Sequence, residues 1–329
     1  MNFFKKGWRR VVLMSALALA IPMGTAFGQT DTYPSKPIRL VLGFPAGGPT
    51  DVVARILGQR MGELLGKAVV IDNKPGAAGN LAADTVAKAP ADGHTLLYNT
   101  SSITIAPWVY TKIGFDPVKD FVPVSLTAEM PLVLLAHPSL RVGNTQGLLD
   151  RIKASPNELN YGSSGSGAIE HLTSAQFLSL NMAAATHIPY KGTAPALTDF
   201  VSGQTQFMMT TLNTALPFVR DGRLQALAVT SRSRSSTLPN VPTMSEAMGR
   251  PFVSTAWQGI VAPAGTPPAV IERLNKVLIG ILAEPVVRQK LAEQGVDALG
   301  STPAHYAEFI KNELARWQGV VRQTGARAD

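Results

Sequence analysis

The 329-residue sequence contains no cysteine. The chain can therefore form no disulfide bond and offers no thiolate ligand to a metal ion. It also lacks the cysteine to which a lipid could be attached after an export signal. If the protein is exported, we expect it to be free of a lipid anchor.

Charged residues are also sparse, at 16% of the chain, and no long cluster of lysine and arginine is present. The formal charge of +8 falls to +4 once the four cations of the first ten residues are set aside. So modest a charge does not indicate a nucleic-acid partner. Residues 231–236 contain only two arginines, which is typical of a solvated loop.

The apolar stretch near the N-terminus, residues 11–23, is shorter than the roughly 20 residues that a membrane-spanning helix needs. Four cations precede it and small residues follow it up to Gln29, which is the pattern of a secretory signal. We expect a signal peptide over residues 1–28, cleavage after Gly28 and release into the periplasm. An uncleaved membrane anchor is the alternative.

The remaining sequence alternates short apolar strands with amphipathic helices, which predicts an α/β fold with largely parallel sheets. The first helix repeats apolar pairs four residues apart and is expected to end at Gly66. Two such series follow one another, and three later helices are expected to begin at Pro268, Pro285 and Pro303. Apolar residues of the last helix recur at spacings of three and four, so its aromatic side chains are assigned to the core.

A glycine- and proline-rich loop, "GFPAGGPT" at residues 43–50, lies between the first strand and the first helix. It nearly matches the phosphate-binding pattern G-x-x-x-x-G-K-[ST], but Pro49 stands where the lysine is required. What remains is a helix N-terminus with unpaired N–H groups, which favours an anion such as a carboxylate. Thr50 and Asp51 have two possible roles: capping the helix to hold the loop, or contacting a ligand.

A second loop, within "NYGSSGSGAIEHL" at residues 160–172, repeats the order of strand, glycine-serine run and helix. Two such loops predict two half-sites across a cleft, where Ser163, Ser164 and Ser166 could donate hydrogen bonds to a carboxylate. The serines also raise the alternative of a hydrolase, but the pattern G-x-S-x-G fails because its fifth position is Ser166. His171 is interpreted as a core or capping residue and not as a catalytic base.

The histidines do not indicate a metal site. No pair has the spacing of helical ligands, and no H-E-x-x-H motif is present. The five positions are His94, His137, His171, His187 and His305. No metal, no cofactor and no enzymatic activity are therefore predicted.

Ten short segments, taken in order, resemble the Bug solute receptors, the substrate-binding components of tripartite tricarboxylate transporters. They are "YPSKPIRLV", "FPAGGPTDVVAR", "DNKPGAAGN", "ADGHTLL", "DFVPVS", "HIPYKGTAPAL", "LQALAVTS", "LPNVPTMSEA", "WQGIVAPAGTP" and "ARWQGVV". The resemblance implies a type II periplasmic-binding-protein fold, in which two α/β domains enclose a ligand cleft. By analogy, domain 1 comprises residues 33–129 and 252–329, and domain 2 comprises residues 130–251.

The resemblance also implies that backbone amides, hydroxyls and ordered waters of the two glycine-rich loops hold a carboxylated ligand. The positions implied are Pro45, Ala46, Gly47, Gly48, Thr50 and Asp51 in the first loop, Ser163, Ser164, Gly165, Ser166 and Gly167 in the second, and Ser101 and Thr210 at the ends of two strands.

The chain departs from the family pattern near this cleft. It reads "TQFMMTT" where relatives commonly read "VDLMFDN", so Gln206, Thr210 and Thr211 replace two acids and an amide. Ile103 and Ala106 likewise stand where relatives often carry histidine and asparagine. Because an acid near the cleft would pair with an ammonium group, its loss predicts a ligand without a charged amine.

The expected ligand is thus a small carboxylate or a related neutral small molecule, with Trp108 as a candidate aromatic contact. The expected partner is the set of membrane subunits of a tripartite tricarboxylate transporter. A membrane sensor kinase that reads the loaded receptor is the alternative, and the sequence does not separate the two. We expect a monomer that binds no nucleic acid.

Overall fold

The structure, a computed structural model, describes residues 33–328. The predicted signal peptide lies outside the described residues. The strands are β1 (Ile38–Leu42), β2 (Val69–Asn73), β3 (Thr95–Thr100), β4 (Phe121–Ala136), β5 (Asn160–Ser163), β6 (Thr186–Pro189), β7 (Phe207–Thr211), β8 (Gln225–Val229), β9 (Thr255–Pro263) and β10 (Asp297–Ala298). The helices are α1 (Pro49–Leu65), α2 (Asn80–Ala87), α3 (Ser102–Val109), α4 (Thr145–Ala154), α5 (Ile169–Leu180), α6 (Thr193–Val201), α7 (Leu212–Arg220), α8 (Met244–Met248), α9 (Pro268–Ala283), α10 (Pro285–Glu293) and α11 (Pro303–Thr324).

All ten strands belong to one sheet, in the order β2-β1-β3-β9-β4-β7-β5-β6, with β8 and β10 also paired to β4. The long strand β4 joins the two halves of this sheet. Residues 121–131 of β4 pair with β9, and residues 132–136 pair with β7 and β8. We call the strands on the β9 side the first half of the sheet and those on the β7 side the second half.

The expected α/β class is correct, but the expectation of largely parallel sheets is only partly so. The pairs β1–β2, β1–β3, β5–β6 and β5–β7 are parallel. Strands β4 and β9 instead run antiparallel to their neighbours. They connect the two halves, a long-range pairing that local hydrophobic periodicity does not encode.

The predicted helix boundaries agree well with the structure. Helix α1 ends before Gly66, whose left-handed conformation (φ 71°) and N–H bond to the Gly62 carbonyl close its last turn. Helices α9, α10 and α11 begin at Pro268, Pro285 and Pro303. Proline suits the first helical position because its missing N–H has no partner to lose there.

Both faces of the sheet are buried under helices. On one face of the first half, α11 packs Tyr306 and Ile310 against Trp257. Trp257 and Trp317 both donate their indole N–H to Glu313, at 3.0 Å each. The aromatic residues of α11 therefore belong to the core, as predicted. No helix among residues 33–328 has both the length and the apolar character of a membrane span.

The predicted boundary between domains near residue 129 falls inside the continuous strand β4. It lies close to Leu132, where β4 exchanges β9 for β7 and β8 as its partners. These domain bounds, residues 33–129 with 252–329 and residues 130–251, stay a prediction.

Candidate ligand-binding site

A cavity of about 640 Å³, including its opening to solvent, lies at the junction of the two halves of the sheet. Both halves contribute to its wall, and Met130 of β4 lies between them. The lining residues are Phe44–Ala46, Gly48–Thr50, Thr100–Ser102, Met130, Ser164, Ile169, Glu170, Gly192–Pro195, Thr211 and Ala256–Gln258. Among these residues Glu170 is the only ionisable one, so the wall carries no cation.

Four helices, α1, α3, α5 and α6, begin with residues that line this cavity, and α7 follows the lining residue Thr211, its N-cap. None of the five has a side-chain hydrogen bond at its N-cap. Of the other helices, α4, α8 and α11 are capped by Asn144, Thr243 and Thr302, whereas α2, α9 and α10 also lack a side-chain cap. Helix N-termini present N–H groups and positive potential, so the cavity suits an anion without any cationic side chain, although at α5 the Glu170 N–H already bonds to the Glu170 carboxylate.

The first loop is held in shape by Asp51, whose side chain is 3% exposed. Its carboxylate accepts bonds from the Gly47 N–H at 2.9 Å, from the Asn73 amide at 3.0 Å and from the Arg55 guanidinium at 2.8 and 3.0 Å. Burial alone would raise the pKa of Asp51, but these donors outweigh it and hold that pKa below its ordinary value. In this structure, therefore, Asp51 supports the loop and does not line the cavity.

Thr50 and Ser101 both line the cavity and connect its wall to β9. The Gln258 amide lies 3.4 Å from Thr50 Oγ1, and Gln258 in turn accepts from the Tyr98 hydroxyl at 2.9 Å. Ser101 donates its N–H to the Trp257 carbonyl and accepts the Trp257 N–H on its Oγ, at 3.1 and 3.0 Å. These bonds fix the start of α3 against β9.

Two stacked histidines anchor the second loop. The rings of His171 and His187 lie parallel, with centroids 3.9 Å apart. His171 Nδ1 accepts the Gly167 N–H at 3.2 Å, and His187 Nε2 lies 2.7 Å from Ser163 Oγ. Burial lowers the pKa of His171 to about 4; burial, together with the charge of His171, lowers that of His187 to about 3. Both rings are neutral at neutral pH.

The Ser163–His187 distance is also that of a serine nucleophile and its base, which bears on the hydrolase alternative. Ser163 is fully buried, however, and does not line the cavity. Its Oγ contacts the carbonyl and the N–H of Gly165 at 3.1 and 3.2 Å. With a pKa near 3, His187 is a poor acceptor for a serine proton at neutral pH. We interpret the pair as a loop anchor.

The second loop also brings an acid to the cavity wall. Glu170, in the first turn of α5, is 5% exposed and lines the cavity. The Ser164 hydroxyl donates to its Oε2 at 2.8 Å. Burial raises the pKa of Glu170, while the bonds from its own N–H and from Ser164 oppose that shift. Glu170 is thus an acid at a position that the comparison with the family pattern did not consider, and the argument against a charged amine loses its basis.

The structure brings six of the thirteen predicted site residues to the cavity wall. They are Pro45, Ala46, Gly48, Thr50, Ser101 and Ser164. Two others, Gly165 and Ser166, line a neighbouring groove that also contains Ser164 and Tyr190. The remaining five do not line either space, and they are Gly47, Asp51, Ser163, Gly167 and Thr210.

Two predicted contacts, Thr210 and Trp108, do not line the cavity. Thr210 lies next to Thr211, which lines the cavity in its place, because successive residues of a strand point to opposite sides. Trp108, predicted as an aromatic contact, lies instead in a groove with C-terminal residues such as Arg322. Trp257 is the tryptophan that lines the cavity.

Sequence reasoning also missed Glu170, Gln258 and the segment 192–195. The signal for Glu170 was its place in the first turn after a glycine-rich loop, where an acid is favoured by the helix dipole. For 192–195 it was a glycine between a strand and a helix, as in the two loops that were recognised. The part of the chain that the structure describes holds no cluster of three or more residues able to bind a metal ion.

The chain is similar to known proteins in family, sequence and structure. A family model described as "Tripartite tricarboxylate transporter family receptor" matches residues 53–326. Protein BugT of Bordetella pertussis is 37% identical over 319 residues, which are 96% of this chain and 96% of BugT.

Two solved structures are similar over nearly their whole length. Rpa4515 of R. palustris, solved with adipate, gives a TM-score of 0.86 at 34% identity and covers 90% of this chain and 99% of its own. MatC (Rpa3494) from Rhodopseudomonas palustris, with bound malate, gives a TM-score of 0.83 at 33% identity. The match covers 88% of this chain and 100% of the MatC chain. The chain thus has the two-domain α/β fold of periplasmic binding proteins, as predicted.

Proposed function

Because the chain belongs to the tripartite tricarboxylate transporter receptor family, we propose that it is a periplasmic receptor that captures a small carboxylate for a transporter of this type. The observation that carries the proposal is the convergence of five uncapped helix N-termini on one cavity without a cation. The ligands of two similar structures, adipate and malate, are small carboxylates and support it.

The first loop is the proposed carboxylate grip. Each helix N-terminus carries the equivalent of roughly half a positive charge, and its free N–H groups donate to an anion. At α1 these groups follow Gly48, and Thr50 adds a hydroxyl. Charge-assisted hydrogen bonds in a closed cavity can supply the roughly −8 kcal/mol of a micromolar complex.

Closure is proposed to occur between the two predicted domains, residues 33–129 with 252–329 and residues 130–251. The cavity wall draws on both: α1 and α3 on one side, α5, α6 and α7 on the other. A ligand that contacts both sides stabilises the closed arrangement over the open one. No catalytic group is required, and we propose that the protein is not an enzyme.

A binding screen of the exported protein tests this proposal. The full gene, with its own leader, is expressed and the product is purified from the periplasmic fraction, where its mass should correspond to a chain beginning at Gln29. Mono-, di- and tricarboxylates, aromatic acids and their amides are then screened by thermal shift. A ligand at 100 times its Kd stabilises the folded state by about 2.7 kcal/mol.

Two glycine variants show whether binding occurs at the cavity. Gly48→Val places a side chain at the cavity wall, where the backbone (φ −77°) accepts it. Gly143→Val adds the same side chain at an exposed position with no atom within 4 Å. The first variant should abolish the thermal shift and the second should retain it. Absence of a shift with every acid, or equal loss in both variants, would contradict the proposal.

The transporter partnership has a separate test. The loaded receptor should bind the membrane subunits of a tripartite transporter more strongly than the empty receptor does. Ligand-dependent binding to the periplasmic domain of a sensor kinase, with none to the transporter, would refute the transport role and leave the receptor role standing.

A further inference from the structure

The two loops that the sequence suggests as equivalent half-sites differ in the position of their acids. In the first loop, the Asp51 carboxylate points into the protein, where Gly47, Asn73 and Arg55 donate to it. In the second, Glu170 lies on the cavity wall itself. Only the first loop therefore presents its helix N-terminus to the cavity without a competing carboxylate.

Glu170 occupies the anion position of its own helix. It lies in the first turn of α5, and its carboxylate accepts hydrogen bonds from its own N–H and from the Ser164 hydroxyl. The N-terminus of α5 thus already has a carboxyl oxygen of the protein as its acceptor, and burial raises the pKa of that carboxyl. No lysine, arginine or histidine on the cavity wall pairs with this carboxyl group.

We infer that the cavity takes ligands with a single carboxylate, held at the first loop, and that Glu170 accepts a hydrogen bond from a donor group at the other end of the ligand. The ligand class is a monocarboxylate that carries an amide or an ammonium group. This inference rests on the proposed function and specifies its ligand.

The physical reason is the cost of placing two carboxylates together. A second ligand carboxylate would face Glu170 in a buried space without a cation, and two carboxylates that share such a site cannot both remain ionised. Such a pair must keep one proton between its two carboxyl groups, so a dicarboxylate binds less tightly wherever Glu170 is ionised in the free protein. An ammonium group instead pairs with the Glu170 carboxylate, and an amide donates a hydrogen bond to it without adding a second negative charge.

Ligands matched in length but different in their far end test the inference. Isothermal titration at pH 7.5 would compare succinate, succinamate and 4-aminobutyrate, and then adipate, adipamate and 6-aminohexanoate. In at least one set, the amide or the amine should bind at least ten times more tightly than the diacid. A diacid that binds as tightly as both of its partners, in every set that binds, would overturn the inference.

Glu170→Gln keeps the size of the side chain and an oxygen that can accept from Ser164, while removing the charge. It should raise the affinity for the diacid at least tenfold relative to the amide and weaken binding of the amine. Glu308→Gln, at an exposed position of α11, removes one charge far from the cavity and should leave the ranking unchanged. If Glu170→Gln fails to fold, the wild-type ranking decides.

The outcomes separate the two proposals. If carboxylates bind but Glu170→Gln does not change their ranking, the inference fails and the receptor function stands. If no acid of either set, and none of the wider screen, binds to the wild type or the variant, the proposed function fails as well.

Discussion

At the scale of single residues, the buried polar groups near the cavity are of two kinds: those that hold the loops in shape and those that line the cavity. Asp51, Ser163, His171 and His187 bond to the backbone or side chains of the loops and do not line the cavity. Sequence patterns predicted two of them as ligand contacts, because a loop residue that fixes a backbone and one that contacts a ligand have the same polar character. Their effect on binding is expected to be indirect, through loop geometry.

Asp51→Asn should destabilise the protein at neutral pH by about 2 kcal/mol, because donors aimed at a buried charge lose strength when it is removed. The pKa of Asp51 is lowered in the folded state, so its stabilisation is present above the unfolded value of 3.8 and is lost as pH falls through the folded value. The difference in unfolding free energy between wild type and variant should therefore shrink in urea titrations from pH 7 to pH 3.

Asp150→Asn is the control for this experiment, since Asp150 is exposed and accepts one bond from Gln146. It should change the unfolding free energy by less than about 0.5 kcal/mol at either pH. If Asp51→Asn lowers the unfolding free energy no more than Asp150→Asn does, Asp51 does not support the loop.

The stacked histidines predict a loss of stability in mild acid. Their folded pKa values, about 4 and about 3, lie below the unfolded value of 6.5. Both rings must therefore stay neutral in the folded state, and the stability that they contribute is complete above pH 6.5 and falls as pH drops below it. At pH 5 the loss should be on the order of 2 kcal/mol per histidine, measured by urea unfolding at pH 7.5 and pH 5.

His187→Gln removes one of the two groups and should reduce this pH dependence by about half. His305→Gln, at an exposed position, should retain the wild-type dependence of the unfolding free energy on pH. If His187→Gln also retains that pH dependence, the stacked histidines are not responsible for the loss of stability in acid.

At the scale of elements, sequence predicted what is local and missed what depends on pairing across the fold. The starts of α9, α10 and α11 followed from proline, and the end of α1 followed from Gly66. The antiparallel course of β4 and β9 has no local signal. Thr210 in place of Thr211 is an error of one residue, which in a strand changes the face to which a side chain points.

The packing of α11 on β9 depends on the absence of a side chain at Gly259. A Cβ atom there would lie 2.2 Å from the Tyr306 hydroxyl oxygen, and Tyr306 is fully buried. Gly259→Ala should therefore destabilise the protein by about 1–3 kcal/mol through overpacking. The measurement is the free energy of unfolding in urea.

A double-mutant cycle identifies the contact as the cause. Tyr306→Ala removes the ring that the new methyl group would strike, so Gly259→Ala should cost less in that background than in the wild type. Equal costs in both backgrounds would show that the destabilisation arises elsewhere.

At the scale of the whole molecule, a buried cluster of hydroxyls joins the two halves of the sheet. Thr230, after β8, donates its N–H to the Leu132 carbonyl and accepts the Leu132 N–H on its Oγ1, at 2.8 Å each. The same hydroxyl bonds to the Ser254 carbonyl at 2.5 Å, and the Ser254 hydroxyl lies 2.9 Å from that of Thr173. Leu132 and Ser254 lie close to the two proposed crossings between domains, so one side chain ties both crossings together.

Thr230→Val keeps the shape of this side chain but removes the hydroxyl to which the Leu132 N–H and the Ser254 carbonyl are bonded. We expect a loss of about 1–3 kcal/mol in the free energy of unfolding, the cost of buried groups left without partners. If the two segments are the crossings, the amides around residues 132 and 254 should also exchange faster with deuterium, while those of β1 should not. Thr186→Val, at an exposed position of β6, is the matched control. Uniformly faster exchange across the chain would refute a local role for Thr230, because loss of overall stability alone raises the exchange of the most protected amides as well.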